Sequence, residues 1–330
     1  MTPESQVSPI PLFFFPGEPD RPLDRPLPAM FTDASAVWRR ADYAEAAAVV
    51  FITRYDGSST VRELLARARA DAKPCLFMDW NDAIHLLRPD YGVVYRASLD
   101  ASNVASCERA IPAHCEDLLR YNDGRLRLRE KTPKPVVGFC GYVSPLWKQV
   151  LQRLRGDRDK VVGHAARTRA IRALWSSPGV QTRFIIRRHY AGGALAEPQN
   201  YATARRQFVE NLFDSDYALC VRGAGNFSIR FYEALSAGRV PLLIDTRCVL
   251  PFANRIDWQR HCVIVAEQDI ARAGERLADF HARHTPQSFT RLQEENRALW
   301  ETHLSSAGFL SRLFAEELGK TSFAADRAAD

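Results

Sequence analysis

The stretch from Tyr217 to Phe252, YALCVRGAGNFSIRFYEALSAGRVPLLIDTRCVLPF, admits few folds. Ala218-Leu219-Cys220-Val221 is a short apolar run of the kind that fills a parallel strand buried on both faces. Arg222-Gly223-Ala224-Gly225-Asn226-Phe227 then interrupts the chain with two glycines and an asparagine, residues that tolerate positive φ. Ser228 is placed to N-cap a helix on which Ile229, Tyr232 and Leu235 share one face, and Gly238 stands where such a helix ends. Val240 to Ile244 is a second apolar strand. Strand, turn, helix and strand in this order make a parallel crossover, and hence an α/β architecture.

Two cations crowd this unit. Arg222 precedes the turn, and Arg230 lies in the first turn of the helix. A helix N-terminus already carries partial positive charge, so arginines there are unfavourable unless an anion joins them. Backbone N–H groups, a glycine turn and two guanidinium groups together suit a diphosphate. Glu233, one turn on, is placed to accept hydrogen bonds from ribose hydroxyls. The same spacing also allows a plain Arg230–Glu233 pair on a solvated helix face.

At 330 residues the chain is too long for one comfortable core and suits two domains. A formal charge of +6 favours polyanions such as nucleotides, acidic glycans or an anionic membrane surface. No basic run with interleaved aromatics marks a nucleic-acid face. The seven cysteines contain no Cys-x-x-Cys pair and read as reduced, buried thiols. Met1 to Pro9 is polar and proline-bearing, unlike a secretory leader, and no apolar run reaches the ~18 residues of a membrane span.

Before the central unit, Ile10 to Phe15, Ala46 to Thr53, Cys75 to Met78 and Tyr91 to Tyr95 read as strands, with a helix over Thr60 to Ala72. Asn122 to Pro135 is polar, charged and proline-bearing, the best linker between domains. Val136 to Cys140 opens the second α/β set, followed by Arg183 to Arg187 as a strand and Ala202 to Phe213 as a helix. Cys262 to Val265 is the last strand, and the remainder is helical up to a frayed tail from Thr321. In parallel sheets ligands bind beyond the carboxyl ends of strands. Asp56 and Asp79 fall there in the first domain, and Arg187 or Arg188 in the second.

The central segment resembles the core of exostosin-type glycosyltransferases. Arg222-Gly223, then Ser228-Ile229-Arg230-Phe231-Tyr232-Glu233-Ala234-Leu235, then Gly238-Arg239-Val240-Pro241, Leu250-Pro251-Phe252 and Ile256-Asp257-Trp258 follow that family's order and spacing. The resemblance is strong over roughly Val136 to Val265 and weak before it. It implies a GT-B fold, two Rossmann-like domains with parallel sheets facing across a cleft. Residues 1–132 would form the acceptor-side domain and 133–285 the donor domain, with helices over 286–330 crossing back to the first. It further implies transfer of a sugar from a nucleoside diphosphate sugar, with inversion, to a glycan or lipid-linked glycan. The donor-binding residues it implies are Gly141, Lys148, Arg187, Arg222, Gly223, Asn226, Phe227, Ser228, Arg230 and Glu233. Arginines and helix N–H groups can stabilise a leaving diphosphate without a metal. On that ground no metal or other cofactor is expected. Animal exostosins are membrane-anchored, whereas this chain points to a bacterial-type cytoplasmic enzyme of cell-surface polysaccharide synthesis at the inner face of the membrane. Asp56 and Asp79 are the candidate bases for the acceptor hydroxyl, with His85 a third, and no motif selects among them. Two rivals stand beside this reading. A Rossmann oxidoreductase would want Gly-x-Gly-x-x-Gly in an early βα turn, but Gly223-Ala224-Gly225 falls late and Ser228 replaces the third glycine. A non-catalytic nucleotide- or glycan-binding relative would keep the donor motif without turnover.

Overall fold

The computed structural model describes residues 9–15, 27–52, 54–83, 87–156, 158–189 and 200–319. The first half contains β1 (Ile10–Phe15), α1 (Ala29–Asp33), β2 (Trp38–Arg40), β3 (Ala48–Phe51), α2 (Ser59–Ala70), β4 (Cys75–Asp79), β5 (Val93–Arg96) and β6 (Glu108–Ala110). The second contains β7 (Val136–Tyr142), α3 (Leu146–Leu154), α4 (Arg158–Trp175), β8 (Gln181–Arg187), α5 (Asn200–Phe213), β9 (Tyr217–Cys220), α6 (Ile229–Ser236), β10 (Val240–Asp245), α7 (Trp258–His261) and β11 (Val263–Ala266). Helices α8 (Ala273–Ala282), α9 (Pro286–Leu299) and α10 (Ser306–Leu318) complete it.

Among the described residues these strands pair in parallel throughout, in two sheets ordered β2-β1-β3-β4-β5-β6 and β11-β10-β9-β7-β8. Both are wound alike: the second strand of each lies outside the first and the rest run the other way. Each sheet therefore has its switch point between its first and third strands, β1/β3 and β7/β9. This is the GT-B architecture, with two α/β units in one chain. Strand β9 shows why it reads as a continuous apolar run. Tyr217 and Leu219 pack into the core on one face of the sheet, and Ala218 and Cys220 into the core on the other.

The connection between the halves is strapped down. Arg129 pairs with the buried Asp216 at 2.6 Å, whose other oxygen accepts from the Val136 amide at 2.8 Å. His281 Nε2 lies 2.7 Å from the Thr132 carbonyl and Nδ1 lies 3.0 Å from the Tyr217 hydroxyl. Beyond α9 a π-helical turn over Trp300–Leu304 redirects the chain, and α10 inserts Phe309, Leu310, Leu313 and Phe314 among Leu12, Phe14 and Met30 of the first domain. All seven cysteines are free, and among the described residues no helix is long and apolar enough to cross a membrane.

Burial lowers the pKa of His281, and also those of His284 and His303. The unfolded chain would take up protons near pH ~6.5 that the folded chain refuses. This contribution to stability is therefore full above that pH and declines below it. A melting temperature followed from about pH 7.5 to about pH 5.5 should fall, and less steeply in His281→Gln. Identical slopes for the two proteins would contradict the assignment to His281.

Candidate functional site

The switch point of the second sheet gathers the residues singled out above. β7 ends at Tyr142 and β9 at Cys220, and the chain leaves β9 through Val221-Arg222-Gly223 into α6. Arg230 reaches back from α6, donating from Nη2 to the Cys140 carbonyl at 2.9 Å. Its guanidinium lies over the Phe139 ring at 4.5 Å and the Phe208 ring at 5.5 Å. A Cβ on Gly141 would stand 2.9 Å from Arg230 Nη2, so glycine there gives the arginine its room. Arg222 is only 5% exposed and donates to the Ala224 carbonyl at 2.6 Å. Neither guanidinium is turned out into bulk solvent. Burial raises the Cys140 thiol pKa while Arg187 and Arg230 pull it down, which places both cations near the end of β7.

Helix α4 locks the turn from the side. Arg167 donates to the carbonyls of Tyr142 and Arg222, each at 3.0 Å, tying the exits of β7 and β9 together. The fit is close at Gly163, where a Cβ would collide with the Gly223 carbonyl. Arg167, one of several basic residues on α4, is thereby built into the site. Ser228 occupies the N-cap position of α6 with extended backbone, but its hydroxyl makes no capping hydrogen bond. The first turn of α6 is thus left without the side-chain cap expected of it.

The turn itself departs from expectation. Gly223 and Gly225 are not among the glycines with positive φ. Gly225 is needed for close approach, since a Cβ there would lie 2.6 Å from Asp82 Oδ1 and against the Phe227 ring. Asn226 and Phe227, expected to bind donor, join the two domains instead. Asn226 is 1% exposed: its amide donates to Ser98 Oγ and its side chain donates to the Leu99 carbonyl, both at 2.9 Å, and accepts from Thr246 Oγ1 at 2.6 Å. Phe227 packs against the cores of both domains. An Arg247–Asp100 pair at 3.0 Å fastens the same seam.

The remaining expectations fare unevenly. Glu233 is buried and bound by Arg205 of α5 at 2.5 Å, not by Arg230, and Arg205 also holds Glu116 at 2.8 Å. A ribose there would meet a carboxylate already engaged by a cation. Arg187 donates to the Ala204 carbonyl at 2.6 Å and lines a cavity of about 320 Å³ with Arg188, His189 and Gln207. Lys148 is exposed on α3, its ammonium 5.3 Å from the centre of the Trp147 ring. Asp56 is exposed and accepts from the Ser58 amide at 2.9 Å, shaping the entry to α2. Asp79 is 2% exposed, accepts from Asn81 and lies 3.7 Å from Arg96, so burial and pairing shut it away from any acceptor hydroxyl. His85 lies outside the described residues.

One carboxylate was passed over. Asp82 is exposed just beyond β4, and its Oδ1 accepts from the Gly225 amide across the seam at 3.0 Å. It places a first-domain acid against the glycine turn of the second domain. The signal lay in Asp79-Trp80-Asn81-Asp82, where the first acid is consumed by the fold and the second overshoots the strand into the crevice.

Residues 155–280 match the model of the Exostosin GT47 domain, which upholds the resemblance over the segment that carries Arg222, Arg230 and Glu233. The chain is 33% identical over 107 residues to the Exostosin-1 homolog of Caenorhabditis elegans, covering 32% of this chain and 27% of that protein. It is 30% identical over 113 residues to Exostosin-1a of Danio rerio, covering 34% and 15% respectively. The chain thus spans about a quarter or less of the length of these relatives. Among solved structures, the Crystal Structure of TarM aligns over 81% of this chain and 54% of that one, with a TM-score of 0.41 and 8% identity. A Glycosyltransferase from Rickettsia africae ESF-5 aligns over 96% of this chain and 100% of its own, with a TM-score of 0.42 and 8% identity.

Proposed function

We propose that the protein is an inverting glycosyltransferase that moves a sugar from a nucleoside diphosphate sugar to a hydroxyl of a glycan or lipid-linked glycan. The observation that carries this reading is that Arg222, bonded to the Ala224 carbonyl of the turn, and Arg230, bonded to the Cys140 carbonyl of β7, flank the uncapped start of α6 at the β7/β9 switch point, inside the segment that matches the exostosin domain. The diphosphate lies against the Gly223–Ser228 turn, with Gly141 leaving room for the Arg230 side chain that meets it. As the bond from the anomeric carbon to the diphosphate oxygen breaks, charge grows on the leaving group. The two arginines and the first-turn N–H groups of α6 stabilise that charge.

The acceptor oxygen attacks from the opposite face and loses its proton to Asp82. The Oδ1 of Asp82 is anchored on the Gly225 amide, and its Oδ2 makes no hydrogen bond among the described residues. Glu233 is assigned the ribose, sharing its charge with Arg205. The reaction so written needs no metal. The setting that fits it is cell-surface polysaccharide synthesis at the inner face of a bacterial membrane.

A thermal-shift panel of UDP, GDP, dTDP and CDP, each with and without EDTA, tests the donor half. A ligand that binds only the folded chain adds about 2.7 kcal/mol at a hundredfold excess over Kd, a shift of several degrees. One nucleotide should raise the melting temperature whether or not EDTA is present. No shift with any of the four would overturn the donor site, and a shift abolished by EDTA would overturn metal independence.

A further inference from the structure

Helix α3 is built inside out. Its inward side carries Gln149, which is buried and donates to the Ser144 carbonyl at 2.8 Å and to Thr168 Oγ1 of α4 at 3.2 Å. Its outward side carries Trp147, Val150, Leu151 and Leu154, which are 60, 59, 43 and 79% exposed. These positions recur at i, i+3, i+4 and i+7 and form one stripe. A surface helix of a globular protein has the opposite polarity, apolar side in and polar side out. Rotating α3 by half a turn would bury the stripe, but the hydrogen bonds of Gln149 fix the side that faces the protein.

The charge around the stripe selects its partner. At about 100° per residue, Lys148 and Arg155 fall on one flank of the apolar stripe and the position of Arg153 on the other. From 142 to 156 the sequence carries these three cations and no acid. An apolar strip with a tryptophan, edged by Lys148 and Arg155 in a stretch without acids, has the polarity of a helix lying in the interfacial plane of a bilayer. A second copy of the chain fits poorly. A two-fold contact through this stripe would set Lys148 and Arg155 beside their own copies, like charge facing like. An anionic lipid surface satisfies both the stripe and its rim.

We propose that the outward face of α3 is a membrane-docking surface, which seats the protein on anionic phospholipid. The helix begins four residues after the last residue of β7, so its N-terminal end stands at the end of the sheet where the switch point opens. A lipid-linked acceptor in the same bilayer would be held near that opening. The docking proposal itself stands apart from the transfer reaction and does not require it.

Cosedimentation of the full chain with vesicles of phosphatidylcholine, with and without a third of phosphatidylglycerol, tests it. Binding is expected to the anionic vesicles, weakened about tenfold or more on neutral ones and by added salt. The double change Trp147→Ser, Leu154→Ser should lower the partition coefficient about tenfold, and Lys148→Ala with Arg155→Ala by a similar factor. Both variants should keep the parent melting temperature, since none of the four side chains is buried. Failure of the full chain to bind anionic vesicles overturns the proposal, as does equal binding by the serine variant. Self-association in sedimentation velocity that the serine variant abolishes would reassign the stripe to a second copy, and a protein partner that needs the stripe while vesicles are ignored would reassign it likewise.

Discussion

Arg230→Ala is expected to lower kcat about a hundred- to a thousandfold, the usual cost of removing one donor aimed at charge that develops in the transition state. The substitution removes a guanidinium that contacts the Cys140 carbonyl and two aromatic faces, so some loss of stability accompanies it. The two effects separate on measurement. Circular dichroism against temperature reads the packing loss, and nucleoside diphosphate release with acceptor in excess reads the catalytic one. Arg230→Lys sharpens the test. A lysine keeps the charge but loses the planar fork that can reach a carbonyl and a phosphate oxygen at once. It should recover part of kcat and little of the melting temperature. Full turnover in the alanine variant would reduce Arg230 to a side chain that packs β7 against α5.

Why that arginine was legible in the sequence, and Asp82 was not, follows from the range of the interactions. The β9–α6–β10 unit is local: strand, turn and helix are dictated by neighbours within a few positions, and Arg222 and Arg230 inherit their places from it. Glu233 stands on the expected helix, but the ion pair it makes is with Arg205 and not the Arg230 pair that the spacing allows. Arg205 arrives from α5, 28 residues earlier, and a pattern confined to one helix offered only Arg230. Asn226 shows the same limit more strongly. Its turn-forming character and the resemblance point it at the donor, but Ser98 and Leu99 meet it from 128 and 127 residues away. The short edge strands β2 and β6 went unread because three residues carry no periodicity. Asp79 and Asp82 stand three residues apart, and nothing in their spacing says which is swallowed. Arg96 and Asn81 decide it, the first buried beside Asp79 and the second donating to it. What sequence conveys well is the sheet and the helix that crosses it; what it conveys poorly is the seam between domains, where each contact spans a hundred residues or more.

Asp82→Asn is expected to have the largest effect on chemistry with the least on structure. The amide oxygen can still accept from Gly225 N–H, so the seam between the domains and the position of the turn persist. What is lost is the capacity to hold a proton. General-base catalysis contributes about a hundred- to ten-thousandfold, and kcat should fall within that range while the thermal shift with the preferred nucleoside diphosphate stays unchanged. The pH profile distinguishes a base from a merely positioning carboxylate. A base takes a proton only while it is ionised, so the parent enzyme loses activity in acid. In the asparagine variant that acid limb of kcat/KM should be absent and the residual rate flat. A variant that keeps the acid limb, or that loses nucleotide binding along with turnover, would show that Asp82 serves the glycine turn and that another group takes the proton.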